Sequence, residues 1–420
     1  MKCLKTLVSA YACRPNMGSD PGIGWNTVRE LAKKHHVWVL TRSDNRPYIE
    51  SEIEKDSITG LNFFYYDLPG AKWWKKGLLG THLHYYLWQL RAYFIGRKLH
   101  AEITFDIAQH VTYVTYTSPS FISLLPIPFI WGPIGGGESA PDAFWHDFNT
   151  RGKIYEMLRN LIRWIKERDP FLHLTAKNSV LAWGMTQDTA EKLQKVGAAN
   201  VQVFSPIGLP QPEIARLSQC AMPEASPVRF LSIGRLLHWK GFHLGLRAFA
   251  QAALPNAEYW IIGDGAESKY LQALAEKLGV VHQVKFWGKL PRDKTFQLLG
   301  ESHVLVHPSL HESGGFVCME AMAAGRPVIC LDLGGPALQV TQETGFKVPA
   351  HTPEQTVHDL AESMTRLAQD PNLCMFMGKA AQKLAKDNFS WDVKGQLLAQ
   401  AYAKIFSSQK SLTSPTTIRP

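Results

Sequence analysis

Paired cysteines are missing from this chain. Its six cysteines (Cys3, Cys13, Cys220, Cys318, Cys330 and Cys374) are scattered, with no C-x-x-C pair and no histidine partner at metal-ligand spacing. That excludes a disulfide framework or a zinc site from sequence and fits a reducing compartment. Long apolar runs are missing as well. Lys2 and Lys5 are followed only by a short apolar stretch ending near Ala12, so no signal peptide is expected. Nothing approaches the roughly 20 residues of a membrane span. Neither an Asp-x-Asp metal motif nor a G-x-G-x-x-G dinucleotide fingerprint occurs. Helix-turn-helix, zinc-finger and RNA-recognition patterns are also lacking, so the net charge of +9 is not assigned to nucleic acid. A soluble cytoplasmic protein is expected, long enough at 420 residues for two domains.

Strands and helices alternate along the chain, the pattern of parallel α/β units. Lys2 to Ala12 reads as a strand feeding a loop with Gly18, Gly22 and Gly24, then a helix and a second strand. Such a turn can hold a phosphate against backbone N–H groups, or be tight only for packing. Phe105 to Val114 reads as a buried strand carrying His110, and Ile127 to Trp131 as another, leading into Gly135-Gly136-Gly137-Glu138. Five prolines between 206 and 227 mark a linker, placing a first domain at 1–205 and a second at 228–388. The Ser/Thr/Pro-rich stretch 408–420 reads as a disordered tail.

Residues 71 to 100 hold six Lys or Arg and no acid among Trp73, Trp74, Tyr85, Tyr86, Trp88, Tyr93 and Phe94. Cations interleaved with Trp and Tyr suit an anionic membrane surface, although the same aromatics could be core. Residues 151 to 168 form a second basic amphipathic helix that could extend that surface.

The most informative stretch is Ser309 to Pro336, SLHESGGFVCMEAMAAGRPVICLDLGGP. Glu312 and Glu320 stand eight positions apart, a rotation of about 80° on one continuous helix. Gly314-Gly315 resists helix, so Glu312 belongs to a loop and the helix starts near Gly315 or Phe316, with Glu320 about one turn inside. Backbone N–H groups of residues 314 to 317 then surround a helix N-terminus that favours an anion or polar ligand. In the next α/β unit upstream, Arg235 and Lys240 flank a strand-to-helix turn and could neutralise a diphosphate.

Glu312, Gly315, Phe316, Glu320, Ala321, Ala323, Gly325, Pro327, Val328 and Gly334-Gly335 resemble the E-x7-E signature of the retaining glycosyltransferases of family four (glycosyl transferases group 1). Gly234-Arg235-x4-Lys240-Gly241 resembles that family's pyrophosphate-binding element. The resemblance implies a GT-B fold, two Rossmann-like domains facing each other across a cleft, with a helix near 389–407 returning to the first. It implies a UDP- or GDP-linked sugar donor, retained anomeric configuration and no required metal. Glu312 would hold the transferred sugar and Glu320 the ribose, with Arg235 and Lys240 on the diphosphate. Gly315, Phe316 and Val317 would line the donor site, and Gly22 would reach the phosphates. The strand ends at Gly263 and Gly288 would neighbour the nucleoside, and His110 would line the cleft near the donor sugar. A saccharide or lipid-linked acceptor at the inner face of the cytoplasmic membrane is expected. A GT-B epimerase, a phosphorylase or a non-catalytic nucleotide-sugar-binding protein remain alternatives.

Overall fold

The computed structural model describes residues 3–70, 78–205, 207–224 and 226–413, which fall into two compact units. The first unit comprises residues 1–136, 164–206 and 391–420. Its seven strands are parallel, in the order β3-β2-β1-β4-β5-β6-β7. These are β1 (Lys5–Ala10), β2 (His36–Arg42), β3 (Leu61–Tyr66), β4 (Ile107–Thr112), β5 (Phe129–Ile134), β6 (Ser179–Gly184) and β7 (Val201–Val203). Helices on both faces leave β4 and β5 buried at every position. Burial on both faces is why β5 reads as a continuous apolar run and not as an alternating one, while β4 carries Gln109, His110 and Thr112 at buried positions.

The helix Leu78–Ile103 packs into this unit. Tyr85 and Trp88 belong to its core, with Trp88 stacked on Tyr66 at 4.6 Å. The stretch 71–100 is therefore not a free lipid-facing surface throughout: a helix beside a sheet must bury one face. Arg91, Phe94, Arg97 and Lys98 remain exposed, and Lys72 to Lys76 lie outside the described residues. The terminal helix Trp391–Thr413 joins the first unit, as the sequence suggests. Lys33 pairs with Asp392, the His35 ring stacks on Tyr402 at 5.3 Å, and Tyr402 donates to Gln109. It continues to Thr413, so the expected tail from 408 begins in helix; residues 414–420 lie outside the described ones.

The second unit comprises residues 137–163 and 207–390, a different division from the one at 205. Phe144 and Phe148 are the physical reason: both bury in a core with Leu236 and Phe242. Arg247 ties the same segment down through Asp147 at 2.7 Å. The proline-rich stretch also belongs here, because prolines at a helix start are tolerated. Pro210 and Pro212 begin the helix Gln211–Leu217, which buries Ile214 and Leu217. Six parallel strands follow: β8 (Val228–Ile233), β9 (Ala257–Ile262), β10 (Val284–Gly288), β11 (Val304–His307), β12 (Val328–Leu331) and β13 (Gly345–Val348). Their order is β10-β9-β8-β11-β12-β13.

Candidate functional site

The strand order of the second unit reverses between β8 and β11, and ligands of open α/β sheets bind outside the carboxyl ends at such a switch point. The chain leaving β8 supplies Arg235 and Lys240; the chain leaving β11 supplies Glu312. Gly241 lets the two loops meet. Its φ of +66° lies in the left-handed region, and a Cβ there would stand 1.8 Å from the Pro308 carbonyl oxygen. Leu310 N–H donates to the Trp239 carbonyl at 2.8 Å and fixes the register between the loops. In consequence Lys240 donates directly to Glu312. Burial works to raise the Glu312 carboxyl, but Lys240, His307 and the Gly315 N–H outweigh it and hold the group below the usual carboxylate range. Arg235 is exposed on the same loop, and among the described residues no ion pair engages it.

At the end of β11, His307 is buried with Nε2 3.9 Å from Glu312, and that nitrogen takes no hydrogen bond among the described residues. Burial first, then the charge of Lys240, pushes its pKa down to about 4. A neutral imidazole thus backs the Lys240–Glu312 pair.

Gly315 caps the helix Phe316–Ala323 with φ +80°, where the sequence places the start. Gly335 N–H donates to the Glu312 carbonyl at 2.8 Å, and Gln339 donates to that of Gly314, so the glycine loop is held from the β12 side. Phe316 and Val317 are half-buried in the first turn. Glu320 is buried, and desolvation raises its pKa to about 7 against the pull of Arg292, whose Nη2 lies 2.8 Å away. Arg292 also donates to both oxygens of Glu213. Neither Arg292 nor Glu213 was singled out from sequence, since neither stands within a motif.

Two further carboxylates were missed. Glu138, after the triple glycine, is buried and accepts from the Ser313 hydroxyl, beside Glu312. Glu156, 1% exposed on the helix Thr150–Lys166, faces two histidines: His238 Nε2 at 3.1 Å and His311 Nε2 at 3.4 Å. Burial opposes its ionisation, yet those hydrogen bonds, with the charges of His311 and Arg159, hold it far below the usual range. His238 is two residues from Lys240 and His311 adjoins Glu312, so Glu156 braces both loops. The flanking glycines could have drawn attention to Glu138; nothing local marks Glu156.

The other expected residues sit in varied settings. Gly263 (φ +142°) lets β9 end against the Gly234 carbonyl, where a Cβ would come within 1.8 Å. Gly288 (φ +65°) closes β10, with no atom within 4 Å of an added Cβ. Gly22 lies in the first turn of Ser19–Ala32, and a Cβ would stand 1.9 Å from the Met17 carbonyl oxygen. That close approach accounts for the glycine by packing. His110, expected to line a cleft, is instead 1% exposed inside the first unit. Its Nε2 faces the Tyr113 carbonyl at 3.1 Å and the Tyr85 hydroxyl at 3.4 Å, and burial lowers its pKa to about 4. Its Nδ1 is buried and takes no hydrogen bond among the described residues.

Residues 223–384 match the model of the family described as glycosyl transferases group 1. The chain is 34% identical over 150 residues to a D-inositol 3-phosphate glycosyltransferase of Streptomyces bingchenggensis, covering 36% of this chain and 32% of that one. It is 28% identical over 225 residues to the lipopolysaccharide core biosynthesis glycosyltransferase LpsD of Rhizobium meliloti, covering 53% and 62%. The matches thus span from about a third to under two thirds of these relatives. Among solved structures, Anabaena Alr3699/HepE, in complex with UDP and glucose, superposes with a TM-score of 0.59 at 18% identity, over 96% of this chain and 100% of that one. Residues 223–384 thus resemble the glycosyl transferases of group 1, and the two Rossmann-like units have the GT-B fold.

Proposed function

We propose that this protein is a retaining glycosyltransferase that moves a sugar from a nucleotide diphosphate to a saccharide or lipid-linked acceptor. The observation that carries the reading is the Lys240–Glu312 pair at the β8/β11 switch point, beside exposed Arg235 and a glycine-capped helix start. A departing diphosphate needs positive charge. Arg235, Lys240 and the N–H groups at Gly315 to Val317 supply it where other enzymes use a divalent ion. Glu312 holds the sugar and Glu320 the ribose. Attack comes from the face the leaving group departs, and the leaving phosphate takes the acceptor's proton. No metal is required. HepE's complex with UDP favours a UDP-linked donor, and LpsD's role in lipopolysaccharide core biosynthesis favours a cell-surface acceptor. The setting is the cytoplasmic face of a membrane.

A panel of UDP-, GDP- and ADP-sugars screened by thermal shift tests the donor, since a bound ligand must raise stability. A UDP-sugar is expected to stabilise, and transfer in EDTA is expected to continue. NMR of the product is expected to show the donor's anomeric configuration. Hydrolysis or epimerisation of the nucleotide sugar without an acceptor would favour an epimerase or phosphorylase instead.

A further inference from the structure

The helix Thr150–Lys166 is turned the opposite way from an ordinary surface helix. Eight apolar side chains between Ile154 and Ile165 are 42–62% exposed, centred on the face of Ile154, Leu158, Leu161 and Ile165. Its inward face is polar. Gly152 packs on the His238 ring, Glu156 holds His238 and His311, and Arg159 and Arg163 donate to the Glu138 carbonyl at 2.7 and 2.9 Å. Surface helices bury their apolar stripe, so this one calls for an apolar medium outside the protein.

We infer that this helix docks on an anionic lipid bilayer. Of its five basic residues Arg159 and Arg163 are held on the inward face by the Glu138 carbonyl, Arg151 is exposed and Lys153 half-buried, and its only acid, Glu156, is buried. Arg151 and Lys153 stand near one end of the apolar strip; at the other, Lys166 is half-buried beside His82 and exposed Arg168 lies over the Trp164 ring at 3.4 Å. An apolar face with cations at its ends and a Trp–Arg pair suits the headgroup boundary of anionic lipid. A second copy is the alternative occupant, which the oligomeric state below distinguishes. The helix is about 25 Å long, enough to lie along the surface. Because Glu156 braces His238 and His311, the docked face lies behind the loops that carry Lys240 and Glu312. The inference deepens the membrane setting proposed above and rests on it, but its readouts do not depend on transfer.

Flotation of the full chain with phosphatidylglycerol/phosphatidylethanolamine vesicles, beside pure phosphatidylcholine vesicles, tests it. Wild type is expected to float with the anionic vesicles and at least tenfold less with the neutral ones. Leu158→Glu/Ile165→Glu is expected to lose the bound fraction at least tenfold. Both positions are exposed, so thermal stability and any UDP-sugar thermal shift should be retained, which separates loss of docking from loss of the donor site. Lys72→Glu/Lys75→Glu/Lys76→Glu serves as comparator. Docking on this helix is overturned if wild type fails to float or floats equally with neutral lipid. It is also overturned if Leu158→Glu/Ile165→Glu floats like wild type, if only the comparator abolishes binding, or if light scattering shows a dimer that this variant dissociates.

Discussion

Glu312 and Glu320 belong to one motif, yet their surroundings push them in opposite directions. Lys240 keeps Glu312 ionised, whereas burial raises Glu320 to about 7. In the role proposed for it Glu320 accepts from ribose hydroxyls when ionised, and its ionised fraction grows between pH 6 and 8. Affinity for an intact UDP-sugar is therefore expected to strengthen several-fold over that range, since the diphosphate diester itself does not titrate there. Calorimetry at three pH values checks this, and Glu320→Gln should be flat; a flat wild type removes the assigned role. For Glu312 the ion pair argues a different outcome. Glu312→Gln removes a negative charge from the proposed diphosphate site and frees Lys240, so UDP should bind as well or better while turnover falls by about 10² or more. Weakened UDP binding in that variant would contradict the placement of Lys240 on the phosphates.

At the scale of elements, the site exists because two loops touch, and Gly241 is the point of contact. Gly241→Ala puts a methyl group against the Pro308 carbonyl in a left-handed conformation, a cost of roughly 3 kcal/mol. Gly279 is the natural comparison: φ is +73° but no atom lies within 4 Å of an added Cβ. Gly279→Ala is expected to cost about 1 kcal/mol and leave donor affinity unchanged, whereas Gly241→Ala should lower both; denaturant melts with calorimetry separate them. The strands and the E-x7-E loop were legible in the sequence because apolar runs, glycines and charges lie close together in it. Glu156 was not, since its partners His238 and His311 are 82 and 155 residues away. The amphipathicity of Thr150–Lys166 was visible too, but periodicity cannot say which face turns inward; that is set by Glu156 and by Glu138's carbonyl. His110 failed for a related reason: a strand end marks a candidate site, and only three-dimensional packing shows it covered.

Across the whole molecule, buried neutral histidines set the response to acid, and they are divided unequally between the units. In the second unit burial lowers His243 to about 3 and His307 and His311 to about 4, from an ordinary 6.5, and lowers His303 as well. Each of these takes up protons more readily when unfolded, so its contribution is complete above pH 6.5 and is lost as pH falls toward 4. A shift from 6.5 to about 4 corresponds to about 3 kcal/mol at about 1.4 kcal/mol per unit. Glu320, raised from 4.5 to about 7, works the other way over the same range, leaving a large net loss. In the first unit His110 at about 4 is opposed by Asp20, which burial raises to about 6, with smaller downward shifts at His35 and His82. The net loss there is much smaller. Marginal stabilities of about 5–15 kcal/mol make such a difference decisive. Hydrogen exchange corrected for intrinsic rates, followed from pH 7 to 4, is expected to show β8 and β11 losing protection before β1 and β4. His243→Met should move the β8 and β11 transition toward lower pH. Simultaneous loss in both sheets, or earlier loss in β1 and β4, would show that the histidines do not govern acid stability.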